Sequence, residues 1–381
     1  MSTFVRCLAC GSHRLKGVAD LGRTPVLNGV MFDDCESARA ATQGRLDVTG
    51  CLDCGHTQNI TFDPDLIDYD AEYDNSLHFS PTFQNYAEDL AQRLVDTYDL
   101  RGGAFVEIGS GKGDFLESIT RYSGGTGTGY DPSTIPDKQI ANVTLVSEYY
   151  RPGQDVESYD LLVCRHVLEH LEGPAAIVQS LRDAAPAHAV HYFEVPAAEF
   201  DFGPTGMWDF IYPHVSYFSE ESLHALMRRC GFEIVAGGRS FSDQFLWVEV
   251  RAGERDSAIA DPAEHLTLLD DFADRHAEVV GRWRRDVAER SGRNEGTAMW
   301  GAGSKGVSFL NAVDPDGSLV VVDLNPRKWG RFLPGTGNEV ISPDALPSHQ
   351  VTKVFITNPA YQQEITQQLH DLGIDAEVVM V

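Results

Sequence analysis

The sequence is short of positive charge. Its 30 lysines and arginines face 57 aspartates and glutamates, for a net charge of −27. A chain this acidic is a poor match for a phosphate backbone, so no nucleic-acid partner is expected. An anionic small substrate stays possible, because a local basic cluster can act inside an acidic whole. No apolar run approaches the length of a bilayer span, so no membrane segment is expected. The opening residues, MSTFVRCLAC, lack a charged start followed by an apolar block, so no secretory signal is read. Seven cysteines in a long chain without such a signal point to thiols and metal rather than disulfides, and to a cytoplasmic setting. Tandem repeats and low-complexity tails are also missing. What is present is ordinary globular composition, 42% hydrophobic over 381 residues, enough for two or three domains with their own cores.

Four of the cysteines stand as two Cys-x-x-Cys pairs, Cys7/Cys10 and Cys51/Cys54, with Gly11 and Gly55 directly after them. Each pair sets two thiolates on one turn, and two turns supply the tetrahedral sulfur shell that zinc prefers. Four protein ligands leave no open position, so the expected zinc is structural. A redox dithiol is the alternative. His13 and His56 read as neighbours of the site or surface groups. Cys35, Cys164 and Cys230 read as small buried hydrophobes.

Residues 104–108, AFVEI, read as a buried strand. The glycine loop Gly109-Ser-Gly-Lys-Gly113 follows, then a helical pattern from Asp114. Such a loop lets backbone approach a bound cofactor closely. Glu107 precedes it. Asp131 closes a second strand about 20 residues on, where a carboxylate can take ribose hydroxyls. YDLLVCRHVLEHL, at 159–171, runs from a strand into a helix. The set resembles the class I S-adenosylmethionine-dependent methyltransferases. That resemblance places Gly109, Gly111 and Gly113 near the methionine end of the cofactor and Asp131 at the ribose. It puts Ser147, Glu148 or Tyr149 at the adenine, with Arg165 and His166 on the floor near the sulfonium. A dinucleotide site is the alternative, but G-S-G-K-G is not its G-x-G-x-x-G fingerprint.

Downstream, Tyr212-Pro-His-Val-Ser-Tyr-Phe-Ser219 precedes a helix capped by Ser219 with Glu220 and Glu221 in its first turn. His214, on irregular backbone among aromatics, suits a general base. Tyr212 and Tyr217 are candidates to hold a substrate hydroxyl or enolate oxygen. His214 packing among aromatics as a loop anchor is the alternative. After a helical tract at about 258–290, with Leu266, Leu269, Phe272 and Val279 on one face, comes a second glycine loop, Gly301-Ala-Gly-Ser-Lys-Gly306. Asp323 follows about 20 residues later, the better match to a dinucleotide fingerprint. It supports a rival reading, an oxidoreductase using NAD. Ser304 and Lys305 at a helix start suit a diphosphate, with Arg327, Lys328 and Arg331 as a basic cluster nearby. Asn358 closes a further strand at its ligand-binding end.

The whole layout is similar to the three-domain sugar C-methyltransferases that make branched deoxysugars. The resemblance rests on the two Cys-x-x-Cys pairs, E-I-G-S-G-K-G, the 212–219 stretch and W-G-A-G-S-K-G at 300–306. It implies a fold of class α/β with three parts: a zinc-binding domain at 1–75, a Rossmann-like methyltransferase domain at 76–250, and a Rossmann-like substrate domain at 251–381. It further implies that His214 removes a proton beside a keto group and that the carbanion takes the methyl. The expected partner is a small molecule, in this branch a sugar nucleotide. Two departures fall where substrate would lie. Pro213 stands where the sugar enzymes carry a glutamate, and the stretch Tyr73–Pro81 brings an extra ionisable group, His78. Methyl transfer to oxygen, nitrogen or carbon of another metabolite therefore stands beside the sugar reading. A non-catalytic zinc module is disfavoured, because it leaves Asp131 and the central loop without a role. The sequence does not tell the oligomeric state.

Overall fold

A computed structural model describes residues 5–67, 79–134, 139–154, 156, 158–256 and 261–381. The described residues build three sheets, and the α/β class expected from the alternating patterns is what forms. The first sheet is antiparallel: Leu15–Pro25, Gln43–Cys51 and Thr57–Asn59, closed by Ser216–Tyr217 from much later in the chain. The last pairing, Thr57 with Tyr217, ties the cysteine-rich sheet to the segment carrying His214.

The second sheet has seven strands, in the order Phe232–Ser240, Phe245–Ala252, Val190–Pro196, Leu161–Arg165, Ala104–Ile108, Thr126–Tyr130, Val143–Val146. Only Phe245–Ala252 runs against the others. The central strands are mostly apolar and buried, as expected where helices cover both faces: Leu161, Leu162 and Val163 are fully buried, while Glu107, Arg165 and Glu194 sit toward the strand ends where the loops begin. The order reverses beside Ala104–Ile108, whose neighbours Thr126–Tyr130 and Leu161–Arg165 are reached by connections on opposite sides. The loop after that strand, Gly109–Gly113, thus opens at the switch point where such sheets bind ligands. The third sheet is all parallel, in the order Val340–Ile341, Val320–Val322, Gly296–Trp300, Val351–Ile356, Glu377–Met380. Its switch point lies after Gly296–Trp300, at the second glycine loop.

Helix Pro81–Tyr98 starts where Ser80 Oγ accepts from Phe83 N and Pro81 needs no donor partner. It buries Phe83, Ala87, Leu90, Ala91, Leu94 and Val95 on one stripe. Helix Glu220–Arg229 carries a capping box in which Ser219 and Ser222 serve each other's backbone. The tract expected as one connecting helix forms two, Ala263–Asp270 and Phe272–Gly292. The break at Asp271 sets Leu269 against Gly50 of the first sheet, while Phe272 packs on Phe202 and Phe210. One core is shared by all three parts: Leu46 and Val48, Trp208 and Phe210, and Phe272, Phe309 and Phe355 belong to it. No helix among the described residues is long and apolar enough to cross a membrane.

Candidate functional site

The four paired cysteines come together. Cys7 Sγ lies 3.6 Å from Cys54 Sγ, and Cys10 Sγ 3.6 Å from Cys51 Sγ, so each contact joins one turn to the other. All four are free thiols, and three are buried. That separation is what a tetrahedral metal with ~2.3 Å sulfur bonds requires, and the cluster is compatible with zinc. His56 is fully buried beside Phe218 and His13 is exposed. Cys164 and Cys230 are buried, whereas Cys35 is only partly covered and departs from the expectation.

In the glycine loop, Gly109, Gly111 and Gly113 all have positive φ, at 74°, 52° and 82°. A Cβ on Gly109 would stand 2.3 Å from Val167 Cγ2, while one on Gly111 would meet nothing. The first glycine is needed for packing and the second keeps the loop open. Gly111 N donates to Asp131 Oδ2 at 2.9 Å, and Ser133 N and Oγ donate to Oδ1 at 2.7 and 2.6 Å. Asp131 is thereby fixed at the rim. Behind the loop Glu107 is buried, and burial pushes its carboxyl up to about 8 against the pull of Arg165.

The floor is organised by Glu194, which is fully buried. Arg165 Nε donates to it at 2.9 Å and Tyr192 at 2.7 Å, and Tyr86 donates as well. Burial opposes its charge, but Arg165 and His166 hold its carboxyl well below the usual range. His166 takes a left-handed conformation, φ 54°, with Nε2 3.3 Å from Glu194 and Nδ1 3.7 Å from Glu169. Burial works against protonation there, yet these carboxylates push the imidazole up to about 9.

A cavity of about 780 Å³ runs from this loop to the second one. The central sheet's share of its wall includes Gly109, Gly111, Asp131, Arg165 and His166. His170, Asp209 and His214 form the middle, and Ser304, Lys305 and Asn358 face them from the third sheet. His214 is 6% exposed, and its Nδ1 has no hydrogen-bond partner among the described residues. Burial pulls its pKa down to about 4, although Asp209 works the other way. His170 sits with its ring centroid 5.0 Å from that of His214, and its Nδ1 lies 3.0 Å from the Pro213 carbonyl. Glu169, His170 and His214 offer side-chain atoms within 4.8 Å of one another.

The second loop is tied across the cavity. Lys305 Nζ lies 3.2 Å from Asp209 Oδ2 and donates to Gln244 Oε1 at 2.9 Å. Gln244 Nε2 donates to Asn358 Oδ1 at 2.8 Å. Ala302 N donates to Asp323 at 2.7 Å, repeating the Gly111–Asp131 arrangement of the first loop.

Several expected residues lie elsewhere. Tyr212 is buried under the first sheet, where its hydroxyl accepts from Asp63 N at 2.8 Å, and it does not line the cavity. Tyr217 packs behind His214, at 6.2 Å between rings, and is shut off from the cavity by its place in the strand beside Thr57. Ser147 donates to Pro132 O and Glu148 pairs with Arg151 on the surface; of the three only Tyr149, 71% exposed, lines the cavity. Arg331 reaches back to Met31 O at 2.7 Å and Asp33 at 3.1 Å, tying the third sheet to the first part instead of facing ligand. His78 lies outside the described residues. His170, Asp209 and Gln244 were not singled out from the sequence. The first sits one turn past His166 in HVLEHL, and the other two carry no spacing signal.

Residues 81–236 match a family described as methyltransferase domain, and residues 249–379 one described as C-methyltransferase C-terminal domain. No curated protein matches the chain. Among solved structures, the chain is similar to magnesium protoporphyrin IX methyltransferase (ChlM) from Synechocystis PCC 6803 with bound SAH, at 17% identity and a TM-score of 0.34, covering 45% of this chain and 84% of that one. A Burkholderia thailandensis 1,6-didemethyltoxoflavin-N1-methyltransferase gives 15% identity and 0.35, covering 44% and 79%. A Mesorhizobium loti S-adenosylmethionine-dependent methyltransferase gives 15% and 0.36, covering 43% and 97%.

Proposed function

For a chain that is a class I S-adenosylmethionine-dependent methyltransferase with a C-methyltransferase C-terminal domain, we propose that the acceptor is a nucleotide-activated keto-deoxysugar methylated at carbon. The observation that carries this is the single cavity with the donor loop at one end, the Ser304/Asn358 edge at the other, and His214 between them. The residues present fit the donor: an open glycine cradle, Asp131 fixed at the rim for ribose hydroxyls, and Tyr149 on the same cavity wall for the adenine face. S-adenosylmethionine, when bound, supplies an electrophilic methyl group.

This chain's own residues do the rest. Ser304, at the start of helix Ser304–Val313, and Asn358 hold the nucleotide end of the acceptor. His214, neutral at pH 7 because of its burial, takes the proton beside the ketone. Holding donor and carbon nucleophile in line is the main demand of the displacement, and one cavity running between the two glycine loops supports this reading. One zinc on Cys7, Cys10, Cys51 and Cys54 completes the reading as a structural ion.

Calorimetry with S-adenosylhomocysteine and with NADH tests the donor; tight NADH binding without the homocysteine ligand would overturn it. Deuterium exchange from solvent into a thymidine-diphosphate 4-keto-6-deoxyhexose, without methyl donor, tests the carbon acceptor. His214→Ala is expected to abolish that exchange while S-adenosylhomocysteine affinity stays within about twofold, since the proton-transfer contribution alone is about 10²–10⁴-fold. Methylation of an oxygen or nitrogen without exchange would move the acceptor to the other class.

A further inference from the structure

Removing a proton beside a ketone with a neutral imidazole is strongly uphill unless something holds the negative charge that moves onto oxygen. The two tyrosines expected to do this do not line the cavity. We propose that Lys305, contributed by the third sheet's glycine loop, is a further catalytic residue: its ammonium donates to the acceptor's ketone oxygen as His214 takes the adjacent proton. This rests on the keto acceptor proposed above.

The case is one of elimination followed by geometry. Among the described residues four other cations line the cavity. Arg165 is engaged by Glu194, and His166 has one ring nitrogen toward Glu194 and the other toward Glu169. Lys328 is held by Asp323 and the Ala302 carbonyl, and Lys112 donates to Ser133 O at the donor loop. Lys305 alone stands next to the Asp209 that neighbours His214. An ammonium has three N–H donors. Asp209 and Gln244 take two of those on Lys305, and the Phe200 ring, 5.0 Å away, covers one side. The remaining N–H is available at the cavity wall. Its side chain is 16% exposed, so the charge acts in a largely dry setting where it counts for most.

The step balances. The C–H proton goes to His214 and its electron pair moves to the carbonyl oxygen, held by Lys305. The pair then returns through carbon to form the new C–CH₃ bond as the methyl–sulfur bond of the donor breaks, leaving the thioether. His214 releases its proton to solvent.

The experiment is deuterium exchange into a thymidine-diphosphate 4-keto-6-deoxyhexose by the S-adenosylhomocysteine complex, at saturating probe. Lys305→Ala is expected to lose about 100-fold in exchange rate, the order seen when one oxyanion donor is removed. Probe affinity should change far less. Methylammonium should restore part of the rate and sodium at equal strength should not; Lys305→Arg should keep more activity than the alanine variant. Calorimetry with S-adenosylhomocysteine confirms that each variant is folded at the donor loop. An alanine variant exchanging within about threefold of the parent, or one whose loss lies wholly in probe affinity, overturns the assignment. So does recovery that is equal with sodium. His214→Ala is run beside it: exchange that survives there removes the base but leaves the Lys305 result to stand on its own variant. A parent enzyme that exchanges nothing into the probe overturns both.

Discussion

At Gly109 a single methyl group decides whether the first glycine loop can form. The backbone sits at φ 74°, and an added Cβ would reach 2.3 Å from Val167. Gly109→Ala is expected to lower stability by about 1–3 kcal/mol and to abolish S-adenosylhomocysteine binding, read by thermal unfolding with and without ligand. Gly111, at φ 52°, also holds a backbone shape that a side chain would strain, but it faces open space, so its alanine variant should fold and lose mainly affinity. Glu107 gives a pH signature. Its carboxyl is raised to about 8 in the folded chain from an ordinary value of 4.5. A raised acid binds more protons folded than unfolded, so its contribution is whole below about pH 4.5 and is lost as pH rises through about 8. Glu107→Gln should flatten the fall in denaturant midpoint between those values; an unchanged slope would contradict the shift. Which residues come together was legible in the sequence wherever a spacing forces it. The knuckle cysteines and the pair Gly111/Asp131 are of that kind, because a turn or a switch-point loop admits few alternatives. Tyr212 and Tyr217 were not, since on irregular backbone nothing in the spacing says which side faces the cavity. Asp209 and Gln244 were missed because their partner Lys305 lies 96 and 61 residues away along the chain.

At the scale of elements, the short strand Ser216–Tyr217 matters more than its length indicates. It begins two residues after His214 and pairs with Thr57–Asn59, which starts three residues after Cys54. The knuckles therefore brace the segment that carries His214 directly. Stripping metal with a chelator should release one zinc per chain, counted with a chromogenic dye. It should slow deuterium exchange more than it weakens S-adenosylhomocysteine binding, because the donor loop grows from a different sheet. Exchange indifferent to zinc would show that the bracing is not needed. The helical tract after the central sheet shows where periodicity reaches its limit. Leu266, Leu269, Phe272 and Val279 fit one continuous stripe, but two different surfaces compete for Leu269 and Phe272, and the helix breaks at Asp271 to satisfy both. Arg331 was misplaced for a related reason: a basic residue near a glycine loop looks like a phosphate ligand until the first part of the chain is packed against it.

At the scale of the molecule, the three parts share a core, and their boundaries are not lines of weakness. Trp208 is 1% exposed and meets Phe309 edge-on at 4.9 Å, joining the central sheet's side to the third. Trp208→Ala is expected to cost about 3–5 kcal/mol and to lower the melting temperature by about 10 °C in one transition, measured by calorimetry. Separate transitions for the two halves would refute a common core. The α/β class and its glycine loops could be read from alternating strand and helix patterns. That both loops open into one chamber could not, because no local pattern encodes how two sheets face each other. This shared chamber makes the enzyme a two-key lock. A graft of residues 249–379 from a relative with another acceptor should redirect which molecule is modified while leaving the donor untouched, provided the graft keeps a lysine to meet Asp209 and an amide to meet Gln244.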